Sequence, residues 1–267
     1  MEKIAIHSIN PINQDLLNHF RKILRDGTVL ITTHDNPDPD ALASGKAINH
    51  LINTIWGIPT QLFYTGLVGR AENLSMLNLL TPEWKHIDQL EDLSKFSSLV
   101  FVDCQPGSRN MFTNYDSLPM IVIDHHYPIL EQTKHALYAD IRLTVGSTVT
   151  MVYQYLHAAQ ANIDPILATA MFIGLKADTN GLSRGSTIED GIVYVKLLER
   201  LDHQLLLKIE SAGLAQEYYQ EFYQGMQNAR IYGNAIIAHL VNMHRPDLVA
   251  ELADLLFRYE SVHAALC

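Results

Sequence analysis

A chain of 267 residues with 48% apolar and 18% charged residues has the balance of an ordinary globular protein and the length for two domains. Its formal charge of −10 argues against long duplex nucleic acid held on a basic surface, although bound cations could still turn an acidic cleft into an anion site. Two cysteines, Cys104 and Cys267, give neither a disulfide framework nor zinc spacing; no run reaches the ~20 apolar residues of a membrane span, and Met1-Glu2-Lys3-Ile4 opens no secretory signal. A reducing cytoplasm is the expected compartment.

In chain order, Thr28–Thr33 reads as a buried strand and 41–55 as a helix that Gly57 and Pro59 end. Gln61–Tyr64, Ser98–Val102 and Met120–Ile123 are the next strands. Helices follow at 147–159 and 165–175, the second with Asp164 as N-cap. Strand–helix alternation predicts a doubly wound, mainly parallel α/β sheet, whose ligands bind beyond the carboxyl ends of its strands. After Gly185 the texture changes: one long helix is expected over 189–207, another over 215–229, a strand over 235–240 and a helix over 246–258. The expected division is 1–189 for the first domain, a linker helix at 190–212, and a smaller, apparently incomplete α/β domain at 213–267.

Four polar clusters sit near the ends of apolar runs. The first is His34-Asp35-Asn36-Pro37-Asp38-Pro39-Asp40. Its prolines keep the turn out of regular structure, so that Asp38 and Asp40, two apart, can face neighbouring cations. A polar turn capping the next helix is the simpler reading of His34 alone. Asp103 directly follows Leu99–Val102, and a carboxylate at a buried strand end must be paired, hydrated or metal-bound. Asp124-His125-His126 follows Ile121–Ile123. One imidazole there can ligate a metal, the other can contact phosphate or donate a proton, and Asp124 can orient a ring. Asp178 precedes the loop Thr179–Gly185, where Arg184 can reach a phosphate. Gly146-Ser147-Thr148 at a helix start offers backbone donors to an anion, although ordinary capping by Ser147 or Thr148 explains it as well. Hard carboxylates and imidazoles gathered from separate strand ends are what a site for two divalent cations needs.

Together these residues resemble the DHH phosphoesterase superfamily, which includes RecJ-type exonucleases, nanoRNases that also act on 3′-phosphoadenosine 5′-phosphate, cyclic-dinucleotide phosphodiesterases and family II inorganic pyrophosphatases. The matching motifs are His34-x-x-Pro37-Asp38-x-Asp40-Ala41, Asp103, Asp124-His125-His126, and Asp178 within Gly174-Leu175-Lys176-Ala177-Asp178-Thr179. The resemblance implies a two-metal site, usually manganese, with Mg2+ or Co2+ as alternatives. His34, Asp38 and Asp103 would hold one ion, and Asp40, Asp103, His125 and Asp178 the other. His126 would contact the scissile phosphate, with Asp124 behind it. The implied substrate is a small nucleotide or a short single-stranded oligonucleotide, and a homodimer is compatible with the family pattern.

Residues 213–267 resemble the beginning of a DHHA1 substrate-binding domain, without the glycine-rich element usual near its end. That departure leaves two readings, a shortened chain or an unusual substrate side. The basic C-terminal motifs of family II pyrophosphatases are not visible, which ranks that branch lower; a cyclic-dinucleotide phosphodiesterase is a further lower-ranked alternative. A haloacid-dehalogenase reading of Asp38-Pro39-Asp40 fails because His34–Pro37 separate the strand from Asp38 and position 42 is Leu. A non-catalytic nucleotide-binding or interaction module that kept the fold is the alternative from a different class.

Overall fold

The computed structural model describes residues 12, 14–90, 92–108, 118–240 and 246–267. Met1–Ile4, on which the absence of a signal segment was read, lies outside them. The described residues fall into two compact units, those within 12–68 and 75–209, and those within 69–74 and 210–267.

The first unit is built on six strands: β1 (Thr28–Thr32), β2 (Thr60–Tyr64), β3 (Trp84–His86), β4 (Phe96–Val102), β5 (Met120–Asp124) and β6 (Tyr138–Ile141). They are ordered β3-β2-β1-β4-β5-β6, and every pairing in this sheet is parallel. The order reverses between β1 and β4, which is the switch point of a doubly wound sheet and the place where such sheets open a crevice for ligands. The strands are rich in Val, Ile and Phe, and alternate residues face opposite ways. Val29, Ile31, Val100, Val102, Ile121 and Ile123 enter the larger core, while Leu30, Leu99, Phe101 and Val122 enter the smaller one on the other face.

The larger core is completed by helices: α1 (Gln14–Ile23), α2 (Pro39–Asn49), α3 (Ala71–Leu79), α4 (Thr148–Ala158), α5 (Pro165–Asp178), α6 (Ile188–Leu198) and α7 (His203–Glu210). On the smaller core, among the described residues, one-turn helices and loop residues such as Ile87, Leu90 and Leu93 pack against the strands. α2 starts at Pro39, two residues before the expected 41, because Asp38 caps it, accepting from Ala41 N at 3.0 Å, and Pro39 needs no donor partner there. Its expected last turn runs instead as a π-helical stretch, His50–Ile55. The single helix expected over 189–207 is two. Asp202 accepts from Gln204 N at 2.8 Å and Leu205 N at 3.1 Å, which starts a new helix at that point. Val193, Leu197, Leu201 and Ile209 belong to the first unit's core, so its packing runs through most of the expected linker segment.

α5 is buried along Leu167–Leu175, as a helix apolar on all sides must be. Gly174 decides how close it comes to α2. A Cβ there would stand 2.9 Å from the Pro39 carbonyl and 3.1 Å from the Ala43 Cβ. The missing side chain lets the end of α5, with Asp178, lie against the start of α2, with Asp38 and Asp40.

The second unit contains α8 (Gln216–Asn228), β7 (Ala229–Tyr232), β8 (Ala235–Ala238), α9 (Pro246–Leu256) and β9 (Ala264–Leu266). β8 pairs antiparallel with β7 and parallel with β9, over a small core of Ile236, Ala238, Leu252, Leu256 and Val262. No described helix is long and apolar enough to cross a membrane.

Candidate metal centre

The switch-point crevice brings together side chains from five places. His34 follows β1, Asp38 and Asp40 open α2, Asp103 follows β4, Asp124–His126 end β5, and Asp178 ends α5. Asp103 sits in the left-handed region at φ +59°, a conformation that Asp and Asn tolerate better than other side chains. That turn directs its carboxylate back into the crevice, and its backbone N–H donates to Ile123 O at 2.9 Å.

The two oxygens of Asp103 face different partners. Oδ2 is 3.6 Å from His34 Nε2, which is itself 4.0 Å from Asp38 Oδ1. Oδ1 is 3.7 Å from His125 Nε2, which is 3.1 Å from Asp178 Oδ2 and 4.0 Å from Asp40 Oδ2. His34, Asp38 and Asp103 thus form one donor triad, and Asp40, His125 and Asp178 a second, each with ligand atoms within 4.8 Å of one another. Asp103, His125 and His126 satisfy the same distance condition. However, the His126 nitrogen facing Asp103, Nδ1 at 3.8 Å, already lies 2.8 Å from Asp124 Oδ1 and is engaged there.

The tautomers fit a cation in each of the first two triads. His34 Nδ1 lies 2.9 Å from the Asp35 carbonyl and His125 Nδ1 3.1 Å from the Val145 carbonyl. Only a donating Nδ1–H makes those contacts, which leaves each Nε2 with a lone pair pointing at carboxylates. Among the described residues, His125 Nε2 and Asp178 Oδ2 are buried without a hydrogen-bond partner. Two acceptors 3.1 Å apart in a buried site need a cation or a proton between them. Without a cation the proton serves. Burial opposes protonation of His34, but Asp103 and Asp38 outweigh it and push its pKa up to about 9. Burial likewise opposes protonation of His125, and Asp178, Asp103 and Asp40 push it up to about 10. Burial, then the Asp103 charge, raises Asp38, and the same causes in the same order raise Asp40 well above the usual carboxylate range. Such a crowd of carboxylates is relieved by divalent cations.

Beside the triads stands a second device. His126 is 55% exposed, and its Nδ1–H donates to Asp124, which leaves Nε2 for the cleft. The Asp124 hydrogen bond raises the His126 pKa. For Asp124 burial opposes ionisation, yet the His126 and Gln105 hydrogen bonds hold it below its ordinary value.

Ser147 and Thr148 have a different place from the substrate contact expected of them. Both are fully buried. Ser147 Oγ donates to Asp40 Oδ1 at 2.7 Å, Thr148 N to Asp40 Oδ2 at 2.7 Å, and Thr148 Oγ1 to Asp103 Oδ1 at 2.7 Å. The anion at the start of α4 is the carboxylate of Asp40, so these donors hold the Asp40 and Asp103 carboxylates in position and, being fully buried, present no surface to an incoming phosphate. Arg184 is exposed and donates to the Asp178 carbonyl at 3.0 Å.

Two buried residues escaped the sequence reading. Gln105 donates through Nε2 to Asp124 Oδ2 at 2.8 Å and to the His126 and Pro128 carbonyls, and accepts through Oε1 from Leu130 N at 2.8 Å and Thr133 Oγ1 at 3.1 Å. No motif marks such a clamp. Asp190 accepts from Gly146 N at 2.9 Å and from Thr150 Oγ1 at 2.5 Å, and forms a capping box with Thr187. The Thr187-x-x-Asp190 spacing was a readable signal.

A doubly wound α/β unit with two carboxylate–imidazole triads at its switch point, Asp103 belonging to one and facing His125 of the other at 3.7 Å, is a candidate two-cation centre. The model of the DHH family, N-terminal domain, matches residues 28–175, and this chain belongs to that family. An uncharacterized protein of Methanocaldococcus jannaschii is 30% identical over 88% of this chain, which spans about half (48%) of that relative's length. A probable manganese-dependent inorganic pyrophosphatase of Streptococcus pyogenes is 23% identical over 89% of this chain and 76% of its own. The crystal structure of an exopolyphosphatase-related protein from Bacteroides fragilis shares the fold with a TM-score of 0.77 at 14% identity, covering 96% of this chain and 79% of that one.

Proposed function

We propose that this chain is a divalent-cation-dependent phosphoesterase acting on nucleotides or short oligonucleotides. The observation that supports it is the position of Asp103 between the two donor triads, one oxygen facing His34 at 3.6 Å and the other facing His125 at 3.7 Å. His34, Asp38 and Asp103 would hold one cation, and Asp40, Asp103, His125 and Asp178 the other, with Mn2+ the first choice from the manganese-dependent relative. Two such cations, when bound, supply an activated water and neutralise charge on the phosphoryl oxygens. The protein's own part is positional. Ser147 and Thr148 hold Asp40 and Asp103 in place, and the carbonyls of Asp35 and Val145 set the tautomers of His34 and His125. His126, steadied by Asp124 and Gln105, contacts the phosphoryl group or returns a proton to the leaving oxygen. Residues 213–267 are proposed to grip the substrate in the manner of a DHHA1 domain.

A second reading, hydrolysis of inorganic pyrophosphate, is favoured by the streptococcal relatives. The test is a Mn2+-dependent turnover panel with a 5′-phosphorylated dinucleotide, 3′-phosphoadenosine 5′-phosphate, a cyclic dinucleotide and pyrophosphate. Turnover of the dinucleotide or the bisphosphate supports the first reading, and turnover of pyrophosphate alone supports the second. No cation-dependent turnover on any of them overturns both in favour of a binding module.

A further inference from the structure

The cleft at the switch point, about 380 Å3, is lined by two chemically different groups of side chains. One is the donor cluster, with His34, Asp38, Asp103 and His126 in its wall. The other is apolar and is made by Tyr127, Pro128 and Leu130, which follow His126 in the chain. Tyr127 is 83% exposed, and among the described residues its side chain has neither a hydrogen bond nor a ring partner. Its backbone, by contrast, is fixed on both sides. Gln105 donates to the His126 carbonyl at 3.0 Å and the Pro128 carbonyl at 3.3 Å, and accepts from Leu130 N at 2.8 Å. A large ring presented to water on a clamped backbone adds little to the fold, whereas it offers a flat apolar face at the edge of an anion site. Inorganic pyrophosphate has no group that such a face would bind. A nucleobase does, and the cleft is at the small end of the ~300–1,000 Å3 of small-molecule pockets, a size for one nucleotide unit.

We propose that Tyr127, with Pro128 and Leu130, is the base-stacking subsite of this cleft, selecting phosphates that carry a nucleobase. The inference rests on the nucleotide reading given above and assigns its specificity to a residue of the first unit. Stacking one base on an aromatic side chain changes affinity by about 5- to 150-fold.

The experiment measures calorimetric affinities of Mn2+-loaded protein for adenosine 5′-monophosphate and ribose 5-phosphate, in wild type, Tyr127→Ala and Tyr127→Phe. The quantity read is the ratio of the two affinities. Wild type is expected to prefer the nucleotide about tenfold or more, Tyr127→Phe to keep the preference and Tyr127→Ala to lose most of it. Exposure of the ring makes either substitution harmless to folding. The proposal is overturned if wild type shows no preference or no binding, if Tyr127→Ala keeps the preference, or if it weakens both ligands alike. Because this is a binding ratio, it is separable from the turnover panel. A protein that prefers the nucleotide through Tyr127 but hydrolyses only pyrophosphate would overturn the proposed function and leave the subsite standing.

Discussion

Asp103→Asn isolates the charge that stands between the two triads. The side chain is 1% exposed, so the change is felt inside the protein, and its shape is unaltered. Asn tolerates the φ of +59° at this position, and its carbonyl oxygen can keep the Thr148 Oγ1 hydrogen bond at 2.7 Å. Loss of the charge also relieves Asp38 and Asp40, both of which it pushes upward. The same change removes a charge that favours protonated His34 and His125, so the two effects oppose each other and the cation-free Asn variant is expected to unfold near the wild-type temperature. Asp103→Ala differs: an unpartnered Thr148 hydroxyl and a left-handed alanine together cost about 2–5 kcal/mol. With Mn2+ at a hundred times its dissociation constant, one site adds about 2.7 kcal/mol to the wild type, or roughly 5–11 °C for a unit of about 200 residues. Differential scanning calorimetry with and without Mn2+ is the assay. The Asn variant is expected to lose most of the cation-induced shift together with turnover. A wild-type shift and wild-type turnover in that variant would refute the sharing of Asp103 between two cations.

Three further variants separate the parts of the site. His126→Asn is expected to lower turnover about 10²- to 10⁴-fold while the Mn2+-induced thermal shift persists, and a lost shift would make His126 a ligand instead. Gln105→Leu frees the loop behind His126 and is expected to cost about a hundredfold in turnover, the scale of a misplacement near 1 Å, again with the thermal shift retained; unchanged kinetics would rule out the clamp. Arg142→Met leaves Asp140 buried without its bidentate partner at 2.6–2.8 Å, a change expected to cost about 3–5 kcal/mol by urea denaturation with turnover per folded molecule unchanged, so a loss below 1 kcal/mol would contradict it.

The strands that carry the site were readable because each is a short apolar run ended by an acidic residue or a proline turn, as in Ser98–Val102 before Asp103. β3 and β6 were not, for physical reasons. β3 is three residues long, and β6, Tyr-Ala-Asp-Ile, hides a charge that its sequence gives no reason to bury. The Arg142 guanidinium and the Tyr155 hydroxyl pair Asp140 inside the core, and that pairing is visible only in three dimensions. Likewise the break at Asp202 depends on one side chain competing for two backbone donors, a contest that apolar periodicity at 192–201 does not report.

The carboxylates and imidazoles that meet at the crevice were legible because their types are distinctive and each cluster follows or opens a clear element. The residues that aim the donors are not distinctive in that way. A glutamine, a serine, a threonine and two backbone carbonyls perform that work, and each is a common surface or turn component elsewhere in this chain. Gly146-Ser147-Thr148 shows how this misleads. The anion expected at the α4 start is there, but it is Asp40, a carboxylate more than a hundred residues earlier, brought close because Gly174 lets α5 lie against α2. The same contact that seats Asp178 by the start of α2 belongs to the packing of α2 against α5, so α2, α4 and α5 must be fully docked before either triad exists. A Gly174→Val side chain would separate them at the Pro39 carbonyl, and the loss of cation response would then accompany the loss of stability, in contrast to Arg142→Met, where only stability falls.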